Sequence, residues 1–240
     1  MSGSSGKRKT APKAKEDSNK KPKTVSVFVG DILQTDEEVR TRDSYSAELP
    51  TRNKAGVLIF KDAPEFQPNM SPAQVLQAGS FGGTYFRPIS SSVTGLSYDK
   101  QWEELPQSWL EGCKIAASVA RKSGYDKEIN TYRVKCGGDL DMWESSGWMV
   151  REDPYGWFQW FCRFYLGRRI DDDERQIKRW KNCTGAKGRW KNNLIGKVVK
   201  AECAYDNMGI SPVIRQTLQH WGYRLNKADF EARKKIINKK

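Results

Sequence analysis

The seventeen residues Asp153–Arg169, DPYGWFQWFCRFYLGRR, constrain the fold more than any other stretch of the chain. On a helical wheel Trp157, Phe158, Trp160, Phe161, Phe164 and Tyr165 share one broad face, and only Gln159 and Arg163 lie clearly opposite. Asp153 reads as an N-cap, Pro154 as the first helical residue and Gly167 as the stop. Two roles suit such a helix. It is a platform on which bases stack, since every base offers a π-face, or it is the central core helix, since a contiguous aromatic face left in water invites aggregation. Amphipathic periodicity by itself predicts burial, so core is the expectation. Each buried Trp or Phe then contributes about 4 kcal/mol of gross transfer free energy.

Charge is distributed unevenly around this helix. The net charge is +13. Residues 1–24 hold eight Lys/Arg against two acids, residues 25–150 thirteen against seventeen, and residues 151–200 thirteen against six. Residues 225–240 hold six against two. A slightly acidic first half followed by a basic second half, with both ends basic, is the asymmetry a polyanion-binding protein needs. There is no run of eighteen apolar residues, so no membrane span is expected.

Residues 1–24 have almost nothing to bury and read as a disordered basic tail. Within them Lys7-Arg8-Lys9 and Lys20-Lys21-Pro22-Lys23 are two clusters separated by ten residues. That spacing suits a bipartite nuclear localisation signal laid into the acidic grooves of an import receptor. A solvated tail that binds phosphate loosely is the simpler reading.

Residues 25–150 read as a mixed α/β part. Val25–Val29 and Gly56–Phe60 are strand candidates, and Asp36–Tyr45 is a short helix or loop. Ser71-Pro72 opens a short helix closed by Gly79. The adjacent glycines of SFGGTYFRPI (80–89) suggest a phosphate-cradling loop or a tight turn between packed aromatics. A phosphate loop leads into a helix N-terminus with a lysine, and Arg87-Pro88 is not that context, so the turn is expected, anchored by Phe81, Tyr85 and Phe86. A helical stretch from Trp102 toward Val119, an exposed-edge strand over Thr131–Cys136 and a short helix from Asp139 to Trp148 complete this part.

Residues 151–240 read as a basic bundle of short helices. Asp171 and Glu174 resemble a capping box for a helix with Arg175, Lys178, Arg179 and Asn182 on one face and Ile177 and Trp180 opposite. Lys187, Arg189 and Lys191 follow around Gly188 and Trp190. Leu194, Ile195, Val198 and Val199 give the next helix its apolar face. Ser211-Pro212 starts another, with Ile214, Leu218 and Trp221 inward, Arg215 and Gln219 outward, and Gly222 as its stop. Asn226 with Asp229 starts the last. With Arg168 and Arg169, the residues Arg175, Lys178, Arg179, Lys187, Arg189 and Lys191 are the candidate contacts to nucleic-acid phosphates. An ordinary solvated face is the simpler reading of the same residues.

Catalytic chemistry finds little support. The five cysteines (Cys113, Cys136, Cys162, Cys183, Cys203) form no CxxC pair, and His220 is the only histidine, so no metal site is expected. The cysteines suit buried or free thiols in a reducing compartment. His220, beside Trp221 and with no nucleophile motif nearby, reads as structural or surface rather than as a base. Asp171, Asp172, Asp173 and Glu174 point in different directions on a helix, so at most two converge on one ion. Asp139 and Asp141 are a further carboxylate pair that nothing else supports. No dinucleotide or phosphate-loop signature implies a cofactor.

The expected fold class is α+β, with 25–150 and 151–240 either two parts or one continuous domain sharing a core from Trp143 to Trp160. The expected function is a nuclear nucleic-acid-binding or chromatin-associated protein. Its competitors are a metal-dependent enzyme acting on nucleic acid, which needs converging carboxylates, and a scaffold docking an acidic protein.

Overall fold

A computed structural model describes residues 24–26 and 34–239. The architecture is α+β and dominated by helix. A three-stranded sheet in the order β1 (Thr24–Ser26), β5 (Leu96–Asp99), β4 (Ile89–Ser91) pairs β1 parallel and β4 antiparallel to β5. A separate hairpin pairs β2 (Thr51–Arg52) with β3 (Leu58–Ile59) in the register Thr51 with Ile59 and Arg52 with Leu58. The helices are α1 (Asp36–Arg42), α2 (Pro72–Gln77), α3 (Leu140–Ser145), α4 (Trp157–Tyr165), α5 (Asp173–Thr184), α6 (Arg189–Lys200), α7 (Pro212–His220) and α8 (Lys227–Ile237).

Helix α4 is the centre of the molecule. Trp160 and Phe161 are fully buried, and Trp157, Phe158 and Phe164 nearly so. Their hub is Phe66 from the N-terminal half, whose ring lies within 6.4 Å of Phe60, Trp157, Trp160, Phe161, Phe164 and Trp180. Tilted and edge-on ring pairs of this kind add to the area term. The apolar core around α4 runs from Val39 to Trp180, so it crosses the boundary drawn at residues 150/151. A second cluster, with Leu194, Ile195, Val198, Leu218 and Phe230, joins α6, α7 and α8, and Trp221 packs against both.

The side of α4 expected to face away from the core is engaged too, with Gln159 buried and Arg163 half-buried. Arg163 donates to both carboxylate oxygens of Glu104, at 3.0 and 2.6 Å, and to Asp153 at 3.0 Å. Gln159 donates to Glu104 at 3.2 Å and accepts the amide of Tyr155 at 3.0 Å. Asp153 is therefore not the N-cap. The helix starts three residues later than expected, after Gly156 at φ 83°, and fully buried Asp153 is gripped by Arg163 and Arg168. Gly167, at φ 103°, ends it as expected.

Local signals placed several other elements. Ser71 and Gln74 form a reciprocal capping box on α2, Asp139 caps α3, and Asn226 caps α8. Three expectations fail for identifiable reasons. The stretch from Trp102 to Val119 is not one helix but short 3-10 turns over Gln101–Glu104 and Gln107–Leu110 and a π-turn over Ile115–Val119. Pro106 supplies no N–H between the first two, and Gly112 at φ 75° breaks the third away. Thr131–Cys136 is not a strand, because side chains take its backbone groups. Asn130 donates to the Val134 carbonyl, the Tyr132 amide donates to Gln216, and Arg133 sits at φ 51°. The acids at 171–174 form no capping box. Helix α5 starts at Asp173, whose carboxylate accepts from the Trp160 indole and the Ile170 amide, while Asp172 takes Arg175 and Gln176.

Arg215 and Gln219, expected outward, are buried. Arg215 donates to the carbonyls of Ile210 and Tyr205, and Gln219 donates to Ser80. Burying a guanidinium is tolerable because fixed carbonyls replace its water.

Candidate nucleic-acid interface

The glycine-rich segment is a turn. Phe81 and Gly82 lie at φ 63° and 57°, and a Cβ on Gly82 would stand 2.6 Å from the Tyr125 ring. The amide of Phe81 donates to His220 Nε2 at 3.0 Å and that of Gly82 to Asn130 Oδ1 at 2.7 Å. Both donors that a phosphate would need are already used.

Most of the basic residues singled out from sequence are engaged internally. Arg168 pairs with Asp153, and Arg169 makes a two-pronged pair with Asp62 at 2.7 and 3.0 Å while lying 3.8 Å from the Phe164 ring centre. Arg175 pairs with Asp172. Arg179 lies over the rings of Trp148 and Trp221 and donates to Gln176, and burial lowers its guanidinium to about 10. It is not the exposed residue the wheel implies. Lys191 is buried, 3.5 Å from Asp229 and over the Tyr223 ring. Lys178, Lys187 and Arg189 are exposed and in no ion pair among the described residues, Arg189 lying over Trp190. The basic clusters from Lys7 to Lys23 lie outside the described residues.

Tertiary structure gathers a different set. Two clefts of about 730 and 660 Å³ adjoin at the β2–β3 hairpin and share Ala55, Asn69 and Asn226 as lining residues. Arg52 and Arg224 line the first; Lys181, Lys187 and Lys191 line the second. Against these five cations stand Glu65 and Asp229, a formal excess of three positive charges. Of the sequence candidates only Lys187 and Lys191 belong to this set.

Local chemistry holds the groove in shape. Asn53 accepts the amides of Ala55 and Val57 through its side chain, closing the hairpin with Gly56 at φ 79°. Asn69 ties the two halves of the chain together. Its side chain donates to the Arg224 carbonyl and accepts the Arg224 amide, both at 2.8 Å. The amides of Asn69 and Met70 both donate to the Gly222 carbonyl. Arg52 is aimed by neutral acceptors, Gln74 Oε1 at 2.7 Å and the carbonyls of Gly56 and Asn69, so its position is set while no carboxylate among the described residues pairs with its charge. Arg224 and Lys181 are exposed with no ion pair among the described residues.

Sequence reasoning missed Arg52, Lys181 and Arg224. Lys181 was visible as part of a basic helix; the other two are single charges in turn-rich segments, brought together only by contacts across 155 positions. Asp139 accepts the Met142 amide, Asp141 is exposed, and among the described residues no group of three or more His, Cys, Asp or Glu is placed to hold a metal ion. Among the described residues no helix is long and apolar enough to cross a membrane.

No protein-family model, no curated protein and no solved structure matches this chain.

Proposed function

We propose that this protein binds nucleic acid through the groove at the β2–β3 hairpin, as a non-enzymatic nuclear or chromatin-associated factor. The observation that carries the reading is the pair of adjoining clefts lined by Arg52, Lys181, Lys187, Lys191 and Arg224 against two carboxylates. Phosphate contacts of this kind supply affinity by releasing condensed counterions. The basic tail of residues 1–24 adds a second, sequence-independent attraction and, by its two clusters, a route into the nucleus.

The test is binding of the full chain to a labelled nucleic acid across a salt series. Neutralising about five phosphates gives a log–log slope near −3.5 on a single strand or −4.5 on a duplex. A slope near zero, or no retention on either form at low salt, overturns the reading.

A further inference from the structure

Resting on that reading, we infer that the groove's ligand is a single strand of nucleic acid and not a duplex. The cations line clefts; they do not crown a ridge. A protein that reads a duplex inserts a convex element, a helix or β-ribbon, into a major groove about 12 Å wide. Here Arg52, Lys187 and Arg224 line two open depressions, so the ligand lies in them and no protein element projects into it. Each depression is open to solvent and has a volume within the roughly 300–1,000 Å³ range of small-ligand sites. A stiff rod with a persistence length of about 150 base pairs cannot bend into such a volume. A flexible single strand can lay one portion in each cleft and pass over the shared residues Ala55, Asn69 and Asn226.

The lining suits bases as well as phosphates. Asn182 opens on the second cleft, and its carboxamide has no partner among the described residues, so it can donate to and accept from an unpaired base edge. Tyr205, half-buried with its ring 6.3 Å from Phe230, is the aromatic residue that lines the first cleft, and bases stack on aromatic side chains. Trp180, also at the groove, is buried, and its indole donates to the Trp221 carbonyl, so it supports the wall without stacking.

The experiment measures fluorescence anisotropy of the full chain with a labelled oligonucleotide of about 15 nucleotides, single-stranded or annealed, near the upper end of known single-strand site sizes. Single-strand binding is expected to be at least about tenfold tighter than duplex binding at one salt concentration. Lys187→Ala with Arg224→Ala removes one cation from each cleft, and neither side chain makes a hydrogen bond or ion pair among the described residues. That pair should weaken single-strand binding about tenfold and duplex binding less than about threefold. A charge-matched pair outside the groove, Lys114→Ala with Lys200→Ala, should change the two alike and weakly. Equal or tighter duplex binding overturns the inference, as does a loss from the control pair as large as that from the groove pair. Absence of binding to both forms overturns the nucleic-acid reading itself, which is a separate result.

Discussion

His220 Nε2 accepts the amide proton of Phe81 at 3.0 Å, and the imidazole lies on that residue's ring with centroids 4.1 Å apart. The Gln216 carboxamide nitrogen also faces Nε2, at 3.1 Å, so the hydrogen-bond pattern assigns the ring proton to Nδ1. Nδ1 faces Cys136 Sγ at 3.4 Å, where burial pushes the thiol up to about 11. An Nδ1 that already carries a proton cannot take one from the thiol. The pair is structural: the histidine holds Phe81 at its positive φ.

Burial lowers His220 to about 3, from an ordinary value near 6.5. Between those values the unfolded histidine is protonated and the folded one is not, so the stability it contributes is complete above pH 6.5 and is lost as pH falls. The loss is on the order of 1.4 kcal/mol per pH unit. Burial raises Asp36, Asp153 and Asp173, which titrate in the opposite sense, so a variant isolates the histidine. Urea unfolding of His220→Gln should show a loss between pH 7.5 and pH 5 smaller than the parent's by about 2 kcal/mol. Parallel curves for the two proteins would refute this assignment.

The sequence made the aromatic centre legible because six aromatics at helical spacing have few ways to avoid water. Short-range chemistry was legible for the same local reason: Ser71, Asp139 and Asn226 cap the residues that immediately follow them. Buried and half-buried polar residues were not. Gln159, Arg163, Arg215 and Gln219 look outward on any wheel, and their partners Glu104, Ser80 and the Tyr205 carbonyl arrive from other segments. The groove failed in the same way. Arg169 and Arg175 count as charge in a sequence but are matched by Asp62 and Asp172 in space, whereas Arg224 gains its place only through Asn69.

Trp160→Ala should cost about 3–5 kcal/mol, a large share of a typical domain's 5–15. The indole is fully buried against Phe66 and Phe164 and donates to Asp173 at 2.8 Å, so truncation opens a cavity and strands a carboxylate that burial already raises. Chemical denaturation reads the loss directly. A variant that melts with the parent would return the helix to the role of stacking platform.

Residues 1–24 fused to a cytoplasmic reporter should concentrate it in the nucleus, and replacing Lys20, Lys21 and Lys23 with Ala should abolish the effect. Imaging of the two fusions decides the matter. Even distribution of the unmodified fusion would leave the tail only its attraction for phosphate.

Arg163 joins two buried carboxylates, Glu104 and Asp153, and removing it exposes the cost of burying them. Such an ion cluster is weak support for stability as a whole, yet taking out one partner leaves uncompensated charge, at about 3–5 kcal/mol. Arg163→Met should fall in that range at pH 7, keeping the stem's packing while deleting the guanidinium. The sign of its pH dependence follows. Burial already raises the Asp153 carboxyl, with the Arg168 and Arg163 guanidiniums pulling it down, so loss of Arg163 raises it further. A carboxyl whose folded value lies above its unfolded one gains stability as pH falls, because the folded state then holds the extra proton. The deficit of Arg163→Met should therefore shrink between pH 7 and pH 5, by up to about 1 kcal/mol. Adding Glu104→Gln removes one stranded charge and should recover part of the loss at pH 7, leaving a shallower pH dependence. A deficit independent of pH and unrelieved by Glu104→Gln would mean that Arg163 acts through packing alone.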